Sequence, residues 1–221
     1  MRPLQVVPIA DHPRVDPAKP LLIVDVDEVL ALFFHGFAQF VEHHGFEVRM
    51  QRFALFQNIY RSGESEHLEI EQGRALLSDF FRTESEAIDP APDAAHSLRY
   101  LAHAGAEVVV LTNAPAHSRE PRGRWLQRHG MDYPMIINEG PKGPAVAALA
   151  AQTGGPVAFV DDLIGNLDSA IETAPQVHTF QMVADTRLRP IAPTAPERHR
   201  RIDLWPELRD VLLETLGLNP P

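Results

Sequence analysis

The stretch LLIVDVDEVLA, residues 21–31, constrains the fold of this chain more than any other. A run of branched apolar residues passes directly into Asp25, Asp27 and Glu28, and apolar residues resume at Val29. A carboxylate beside an apolar run loses hydration, which costs several kcal/mol for each ion that nothing compensates. The stretch therefore predicts a buried strand whose acidic end is either neutralised by a partner or fully solvated.

The composition is that of an ordinary globular domain. The chain has 221 residues, of which 44% are hydrophobic, and this is enough for one core with room for a small insertion. It has no cysteine, which excludes disulfides, thiolate metal sites and cysteine nucleophiles. The longest apolar runs have the length of a strand, and the first 20 residues are rich in proline. We therefore expect a cytoplasmic protein with no membrane partner and no targeting segment.

The charge of the chain argues against nucleic acid as a partner. The formal net charge is −10, whereas a polyanion requires clustered Lys and Arg. The one dense basic run, ERHRR at residues 197–201, lies in a proline-rich stretch, and we interpret it as a solvated basic turn.

Short apolar runs alternate with helical patterns over most of the chain. Further strands are predicted at residues 107–111, 135–137, 157–160 and 176–180. Helices are predicted at residues 94–104, 118–129, 144–152 and 165–173. The apolar runs do not alternate with polar residues, which indicates strands covered on both faces. The sequence thus predicts an α/β fold with a Rossmann-like doubly wound, mainly parallel sheet.

The segment between the first two strands is too long for a single crossover. Apolar residues at helical spacing, among them Phe53, Phe56, Ile59 and Tyr60, predict three or so helices packed as a small α-helical unit. We therefore divide the chain into a proline-rich arm (1–20), an α/β core (21–32 and 90–221) and a helical insertion (33–89). After about residue 185 the core is proline-rich, and a final helix is predicted over about residues 206–216.

Polar residues stand at the ends of three predicted strands. In open α/β sheets, sites form at the carboxyl ends of the strands. If the first and fourth strands are neighbours, four carboxylates converge there and require a cation. Oxygen ligands without sulfur or clustered histidine point to Mg²⁺. The strand-end residues are Asp25 with Asp27, Thr112 with Asn113, and Asp161 with Asp162.

Lys142 is the one lysine of the chain besides Lys19. It lies in EGPKGPAV, between the third strand and the following helix. From there it could reach the same crevice and hold both a phosphate and a carboxylate. The alternative is an exposed loop lysine.

Taken together, these elements resemble the four motifs of the haloacid dehalogenase superfamily of phosphohydrolases. DVDEV resembles the first motif, LTN the second, Lys142 the third and VDDLIGN the fourth. Their order and spacing fit the superfamily from Leu21 to Phe180. The helical insertion resembles the cap that the superfamily places after the first motif.

The resemblance implies a role for each matching residue. Asp25 would be the nucleophile that forms an aspartyl-phosphate, and Asp27 would be the general acid and then the general base. Lys142 would stabilise charge on the phosphoryl group and on Asp25. Thr112, Asn113 and the neighbouring amides would hold phosphate oxygens.

The metal site that the resemblance implies is built from the first and fourth motifs. Mg²⁺ would be held by the Asp25 side chain, the Asp27 backbone carbonyl and Asp162, and Asp161 would assist. Two residues depart from the superfamily pattern: Glu28 stands in place of a small residue, and Asn166 in place of a second acid. We expect Glu28 to face solvent or to make a structural hydrogen bond.

The function implied is Mg²⁺-dependent hydrolysis of a small phosphomonoester metabolite. The alternatives are a phosphomutase or phosphotransferase of the same superfamily, and a ligand-binding protein without turnover. Superfamily dehalogenases lack the second acid of the first motif, so Asp27 argues against dehalogenation. In the cap, Phe33, Phe34, Phe56 and Arg61 are candidates for substrate specificity, although a core role is the alternative for the phenylalanines.

Overall fold

The computed structural model describes residues 13–221, so most of the predicted N-terminal arm lies outside the described residues. The strands are β1 (Leu21–Val24), β2 (Phe46–Val48), β3 (Ile59–Arg61), β4 (Glu107–Thr112), β5 (Met135–Ile137), β6 (Val157–Asp161), β7 (His178–Gln181) and β8 (Arg200–Arg201). The α-helices are α1 (Phe33–His43), α2 (Ile70–Thr83), α3 (Ala94–His103), α4 (Arg119–Arg128), α5 (Gly143–Ala150), α6 (Ile164–Thr173) and α7 (Trp205–Thr215). None of the helices between residues 13 and 221 has the length and hydropathy needed to cross a membrane.

The main sheet has the strand order β5-β4-β1-β6-β7-β8, and every pair in it is parallel. β1 lies between β4 and β6, with Val24 opposite Val110 on one side and Val160 on the other. All residues of β1 are fully buried. The predicted parallel α/β sheet is confirmed, and the first and fourth predicted strands are neighbours.

Helices cover both faces of this sheet. Successive side chains of a strand point to opposite faces, so Ile23 joins the core beneath α5 and α6, whereas Val24 joins the core beneath α3, α4 and α7. Both cores are built from the non-alternating apolar runs of the strands. A doubly covered sheet leaves its polar groups at the strand ends, where the chain turns.

The inserted segment, residues 33–89, differs from the predicted three helices. It contains α1, α2 and an antiparallel pair, in which β2 pairs with β3. Ile59 and Tyr60, predicted to be helical, lie in β3 and are buried, because a β-branched and an aromatic residue pack well on a pleated pair. Phe56 lies in a short 3₁₀ turn just before them.

The inserted segment leaves and rejoins the core at one point. The Leu32 N–H donates to the Asp89 carbonyl at 2.9 Å, and the Ala91 N–H donates to the Leu30 carbonyl at 2.8 Å. The segment therefore stands beside the end of β1, on the side where the acidic residues lie.

The interpretation of ERHRR as a solvated basic turn is correct for residues 197 and 198, which lie in an exposed turn, but not for the rest of the run. Arg200–Arg201 forms β8 at the sheet edge, and His199 is buried. The His199 ring lies 2.9 Å from an Asp168 oxygen, and the Arg198 Nε donates to the same oxygen at 2.7 Å. Asp168 on α6 thus joins Arg198 and His199 to the body of the domain.

Candidate active site

Asp25 follows β1 directly and remains in the sheet's hydrogen-bonding pattern. Its N–H donates to the Val160 carbonyl at 3.0 Å, and the residue is 5% exposed. The chain then turns tightly, because the N–H groups of residues 29, 30 and 31 all donate to the Val26 carbonyl. This turn keeps Asp27 beside Asp25 at the carboxyl edge of the sheet.

Lys142 lies at the start of α5 and is almost completely buried. Its Nζ is 2.6 Å from Asp25 Oδ1 and 2.7 Å from Asp161 Oδ2. Burial lowers the pKa of this ammonium, but the Asp161 and Asp25 carboxylates raise the pKa above its ordinary value overall. The lysine is therefore a buried cation bound to two strand ends, and the alternative of an exposed loop lysine is wrong.

The close packing of α5 on α6 fixes the position of Lys142. A Cβ atom on Gly143 would lie 2.1 Å from the Ser169 carbonyl oxygen, so no larger residue fits there without movement. The Gly143 N–H also donates to Ser169 Oγ at 3.1 Å. Glycine at this position lets the lysine enter the site from the helix start.

Asp161 connects the residues around the site through its buried carboxylate. It is fully buried at the end of β6, and its carboxylate accepts hydrogen bonds from Lys142, from Asn166 Nδ2 at 3.0 and 3.2 Å, and from the Leu163 N–H at 2.9 Å. Asn166, which stands in place of an acid, is thus a donor to this carboxylate. Asp162, the next residue, lines the cavity described below.

The carboxylates at this edge fit a divalent cation. Asp25, Asp161 and Asp162 each bring an oxygen within 4.8 Å of the others. The Asp161 oxygens accept hydrogen bonds from three groups, whereas Lys142 is the one partner of Asp25 Oδ1 among the described residues. These three carboxyl groups lie around one ammonium group, that of Lys142. Hard oxygen donors with excess negative charge suit a cation such as Mg²⁺, which Asp25 and Asp162 would hold.

Burial and mutual repulsion change the acidity of this group. Burial raises the pKa of Asp25 to about 7, against the lowering effect of Lys142. Burial, followed by the charges of Asp161 and Asp25, raises the pKa of Asp162 well above its ordinary value. Below these raised pKa values the metal-free carboxyl groups of Asp25 and Asp162 therefore keep their protons. A bound cation would lower the pKa values and release the protons.

The two polar residues of the second motif, Thr112 and Asn113, differ in their exposure. Thr112 is fully buried, and its Oγ1 accepts the Ala114 N–H at 3.2 Å. Asn113 is exposed, and its side chain is held by Gly140 at 2.9 Å and by Asn138 at 2.8 Å. Asn113, rather than Thr112, lines the cavity described below.

Glu28 is buried and structural rather than solvated. It has a left-handed φ of 62° and is 4% exposed. Its carboxylate accepts the Phe34 N–H at 2.7 Å and the Asp185 N–H at 3.2 Å, which joins the first turn of α1 to the segment after β7. Burial raises the pKa of Glu28 to about 8. The expected structural hydrogen bond is present, and the expected exposure is not.

Arg122 is a site residue that the sequence motifs do not reveal. It lies on α4, is fully buried, and donates through Nη2 to Asp27 Oδ1. Its guanidinium carbon is 5.3 Å from the centre of the Phe81 ring, on the inserted segment. The Nε and Nη1 groups of Arg122 donate no hydrogen bond to any described residue. The one sequence signal is helical spacing, because Arg122 shares the buried face of α4 with Trp125 and Leu126.

A cavity of about 390 Å³ lies between the carboxylates and the inserted segment. Phe33 and Phe34, two candidates for specificity, line it. Phe56 instead packs against Gly73 of α2, and the exposed Arg61 lies over the Phe46 ring. The other lining residues are Asp25, Asp27, Glu28, Phe53, Ala54, Leu55, Leu77, Phe81, Asn113, Lys142, Asp162, Leu163, Asn166 and Leu188.

Comparison with solved structures identifies the fold. A haloacid dehalogenase (HAD) family hydrolase from Deinococcus radiodurans R1, with bound phosphate and sodium, is 15% identical with a TM-score of 0.64, over 93% of this chain and 100% of that one. A haloacid dehalogenase-like protein of unknown function from Agrobacterium tumefaciens is 14% identical with a TM-score of 0.58, over 89% and 99%.

A third similar structure contains magnesium. A Bacillus subtilis protein assigned to the HAD hydrolases is 15% identical with a TM-score of 0.58, over 89% of this chain and 99% of that one. No family model and no curated protein matches the chain. At these identities the likeness concerns the fold, and the haloacid dehalogenase-like fold predicted from the four motifs is confirmed.

Proposed function

We propose that this protein is a Mg²⁺-dependent phosphatase that hydrolyses a small phosphomonoester through an aspartyl-phosphate on Asp25. The observation that carries the proposal is the convergence of Asp25, Lys142 and Asp162 at the carboxyl edge of the sheet, next to a cavity of ligand size. The haloacid dehalogenase-like fold supports the same reaction class.

Asp25 is the group best placed to attack phosphorus. It faces the cavity, and Lys142 Nζ at 2.6 Å would offset the charge of both the carboxylate and an incoming phosphoryl group. Phosphoryl transfer depends mainly on positioning and electrostatic stabilisation, and this pair supplies both. Asp25, the Asp27 carbonyl and Asp162 would hold Mg²⁺, which would offset negative charge between the nucleophile and the phosphate.

Asp27 is the proton-transferring group of the proposal. It lines the cavity and is the least buried acid of the cluster, with a side chain 24% exposed. We assign it the donation of a proton to the leaving oxygen, then the removal of a proton from the water that attacks the aspartyl-phosphate. Arg122 fixes its carboxylate from the side of α4.

The cavity size limits the substrate. A volume of about 390 Å³ lies near the lower end of the roughly 300–1,000 Å³ typical of small-molecule sites. We therefore propose a small phosphorylated metabolite as substrate, and neither nucleic acid nor a membrane as partner. A phosphomutase would need a second phosphate site, for which the cavity offers no further cationic side chain among the described residues.

The test is phosphate release from a panel of alkyl, aryl and sugar phosphates, with Mg²⁺ and with chelator. Wild-type protein should turn over at least one monoester with Mg²⁺, and Asp25→Asn should lower kcat by at least about 100-fold. Asp210→Asn, on the exposed face of α7 and outside the cavity lining, is the matched control and should retain activity. Turnover that is unchanged by Asp25→Asn would contradict the proposal.

A further inference from the structure

We infer that the group released from phosphate is uncharged and apolar, so that the substrates are alkyl or aryl phosphate monoesters. The inference rests on the proposed function and names its substrate class. It is carried by the division of the cavity into a polar floor, at the strand ends, and an apolar wall, made by the inserted segment and two nearby leucines.

The lining residues other than the polar ones of the floor are all apolar. These apolar residues come from both helices of the inserted segment, from the loop between β2 and β3, from the start of α6 and from the segment after β7. They are Phe33, Phe34, Phe53, Ala54, Leu55, Leu77, Phe81, Leu163 and Leu188. A phosphate on the floor would direct its ester group toward this wall.

The cavity has no partner for a second anionic group. Among the described residues that line it, Lys142 is the one cationic side chain, and Asp25 and Asp161 already hold it. The carboxyl groups of Asp27, Glu28 and Asp162 supply no positive charge that could pair with a carboxylate or a second phosphate. A charged leaving group would be buried without compensation, which is strongly unfavourable.

The apolar wall also offers few hydrogen-bonding partners to a hydroxyl-rich leaving group. The polar lining residues, among them Asn113 and Asn166, belong to the floor at the strand ends, and Asn166 is bonded to Asp161. A sugar against the phenylalanine and leucine wall would lose hydrogen bonds to water and gain none. Burial of an alkyl or aryl group there is favourable in proportion to its area.

The test compares methyl, butyl and hexyl phosphate with glycerol phosphate. The value of kcat/KM should rise with chain length, by up to about fourfold for each CH₂ until the cavity is filled. Hexyl phosphate should exceed glycerol phosphate by at least about tenfold, although glycerol is the better leaving group. A flat series, or a preference for glycerol phosphate, would overturn the inference.

Two adjacent leucines of α2 provide a matched pair of variants. Leu77 lines the cavity, whereas Leu76 is packed against the core outside it. Leu77→Gln should lower kcat/KM for hexyl phosphate by about fivefold or more and leave methyl phosphate within about twofold. Leu76→Gln should not change the ratio of the two substrates. Equal effects of both variants on that ratio would contradict the inference.

Binding of alkylphosphonates, which cannot be hydrolysed, separates this inference from the proposed function. Hexylphosphonate should bind more tightly than methylphosphonate, with a more negative heat-capacity change. Tighter hexylphosphonate binding without turnover of any ester would contradict the proposed function but support the apolar site. Equal binding, together with turnover that requires Asp25, would contradict only the apolar site.

Discussion

The Arg122 guanidinium fixes the Asp27 carboxylate from outside the four motifs. It reaches Asp27 from α4 and lies over Phe81 of the inserted segment, so one side chain touches both the core site and the segment above it. A buried arginine is costly unless it is paired, and Asp27 is its ion-pair partner. We therefore assign Arg122 as a positioning residue for proton transfer.

Replacement of Arg122 should affect substrates according to their leaving groups. For Arg122→Gln we expect kcat with hexyl phosphate to fall by about 100-fold, because in the proposed mechanism Asp27 protonates the departing alcohol. The initial burst of nitrophenolate from 4-nitrophenyl phosphate should change by less than about fivefold, because nitrophenolate leaves without a proton. Stopped-flow and steady-state assays measure the two quantities.

Arg124 provides the control for that experiment. It lies on the same helix but at the surface, where it pairs with Glu86. Arg124→Gln should leave both the burst and kcat unchanged, because exposed pairs contribute little. An equal loss of burst rate and kcat in Arg122→Gln would indicate general damage to the site and contradict the positioning role.

At the residue scale, the sequence predicts those site residues that stand at strand ends. Asp25 and Asp161 are predicted because a short apolar run locates the end of a strand, and the sheet brings such ends together. Lys142, at the start of α5, is predicted from its place between the third strand and the following helix. Arg122 lies 95 positions from Asp27, and the contact depends on how α4 packs. The burial of Glu28 likewise depends on Asp185, which is distant in sequence.

At the element scale, the contact between α5 and α6 controls the site. Gly143→Ala would place a methyl group 2.1 Å from the Ser169 carbonyl and force the helices apart. We expect a loss of about 1–3 kcal/mol in the free energy of unfolding. We also expect lower kcat, because Lys142 precedes this residue. Chemical denaturation and phosphate release measure the two effects.

Gly123 of α4 serves as the matched glycine. A Cβ atom there has no neighbour within 4 Å, so Gly123→Ala should raise the stability by about 0.5–1 kcal/mol through helix propensity. If Gly143→Ala proves as stable and active as Gly123→Ala, the helix contact does not position Lys142.

Element prediction succeeded in the core and failed in the inserted segment for a physical reason. The core strands are buried on both faces, so their continuous apolar runs clearly predict strands. Around Ile59 and Tyr60 the spacing of apolar residues fits a helix, but pairing with β2 decides the outcome. The two-residue strand β8 was missed because pairing with β7, not its own composition, makes it a strand.

At the scale of the whole molecule, the buried acids couple stability to pH and to metal. The folded-state pKa values of Asp25 and Glu28 are raised to about 7 and about 8, and those of Asp27 and Asp162 are also raised. Between the ordinary carboxyl pKa and these values the folded state binds more protons than the unfolded chain. The stability of the metal-free protein must therefore fall as pH rises through this window.

We expect the free energy of unfolding in chelator to be lower at pH 8 than at pH 6 by on the order of 1–3 kcal/mol. Mg²⁺ should restore stability, and more strongly at pH 8, because it binds ionised carboxylates. Urea unfolding measures the free energy of unfolding at pH 6 and at pH 8, each in chelator and in Mg²⁺. In Asp162→Asn the Mg²⁺ effect should be lost. A metal-free protein that becomes more stable from pH 6 to pH 8 would contradict this coupling.

The covalent intermediate on Asp25 is the central claim, and chemical trapping tests it most directly. Wild-type protein with Mg²⁺ and an excess of aryl phosphate is quenched during turnover and reduced with borohydride, which converts an aspartyl-phosphate to homoserine. Peptide mass spectrometry should then find homoserine at position 25, in a yield that requires both Mg²⁺ and substrate. Turnover with unmodified Asp25, or with homoserine at another aspartate, would contradict the proposed mechanism.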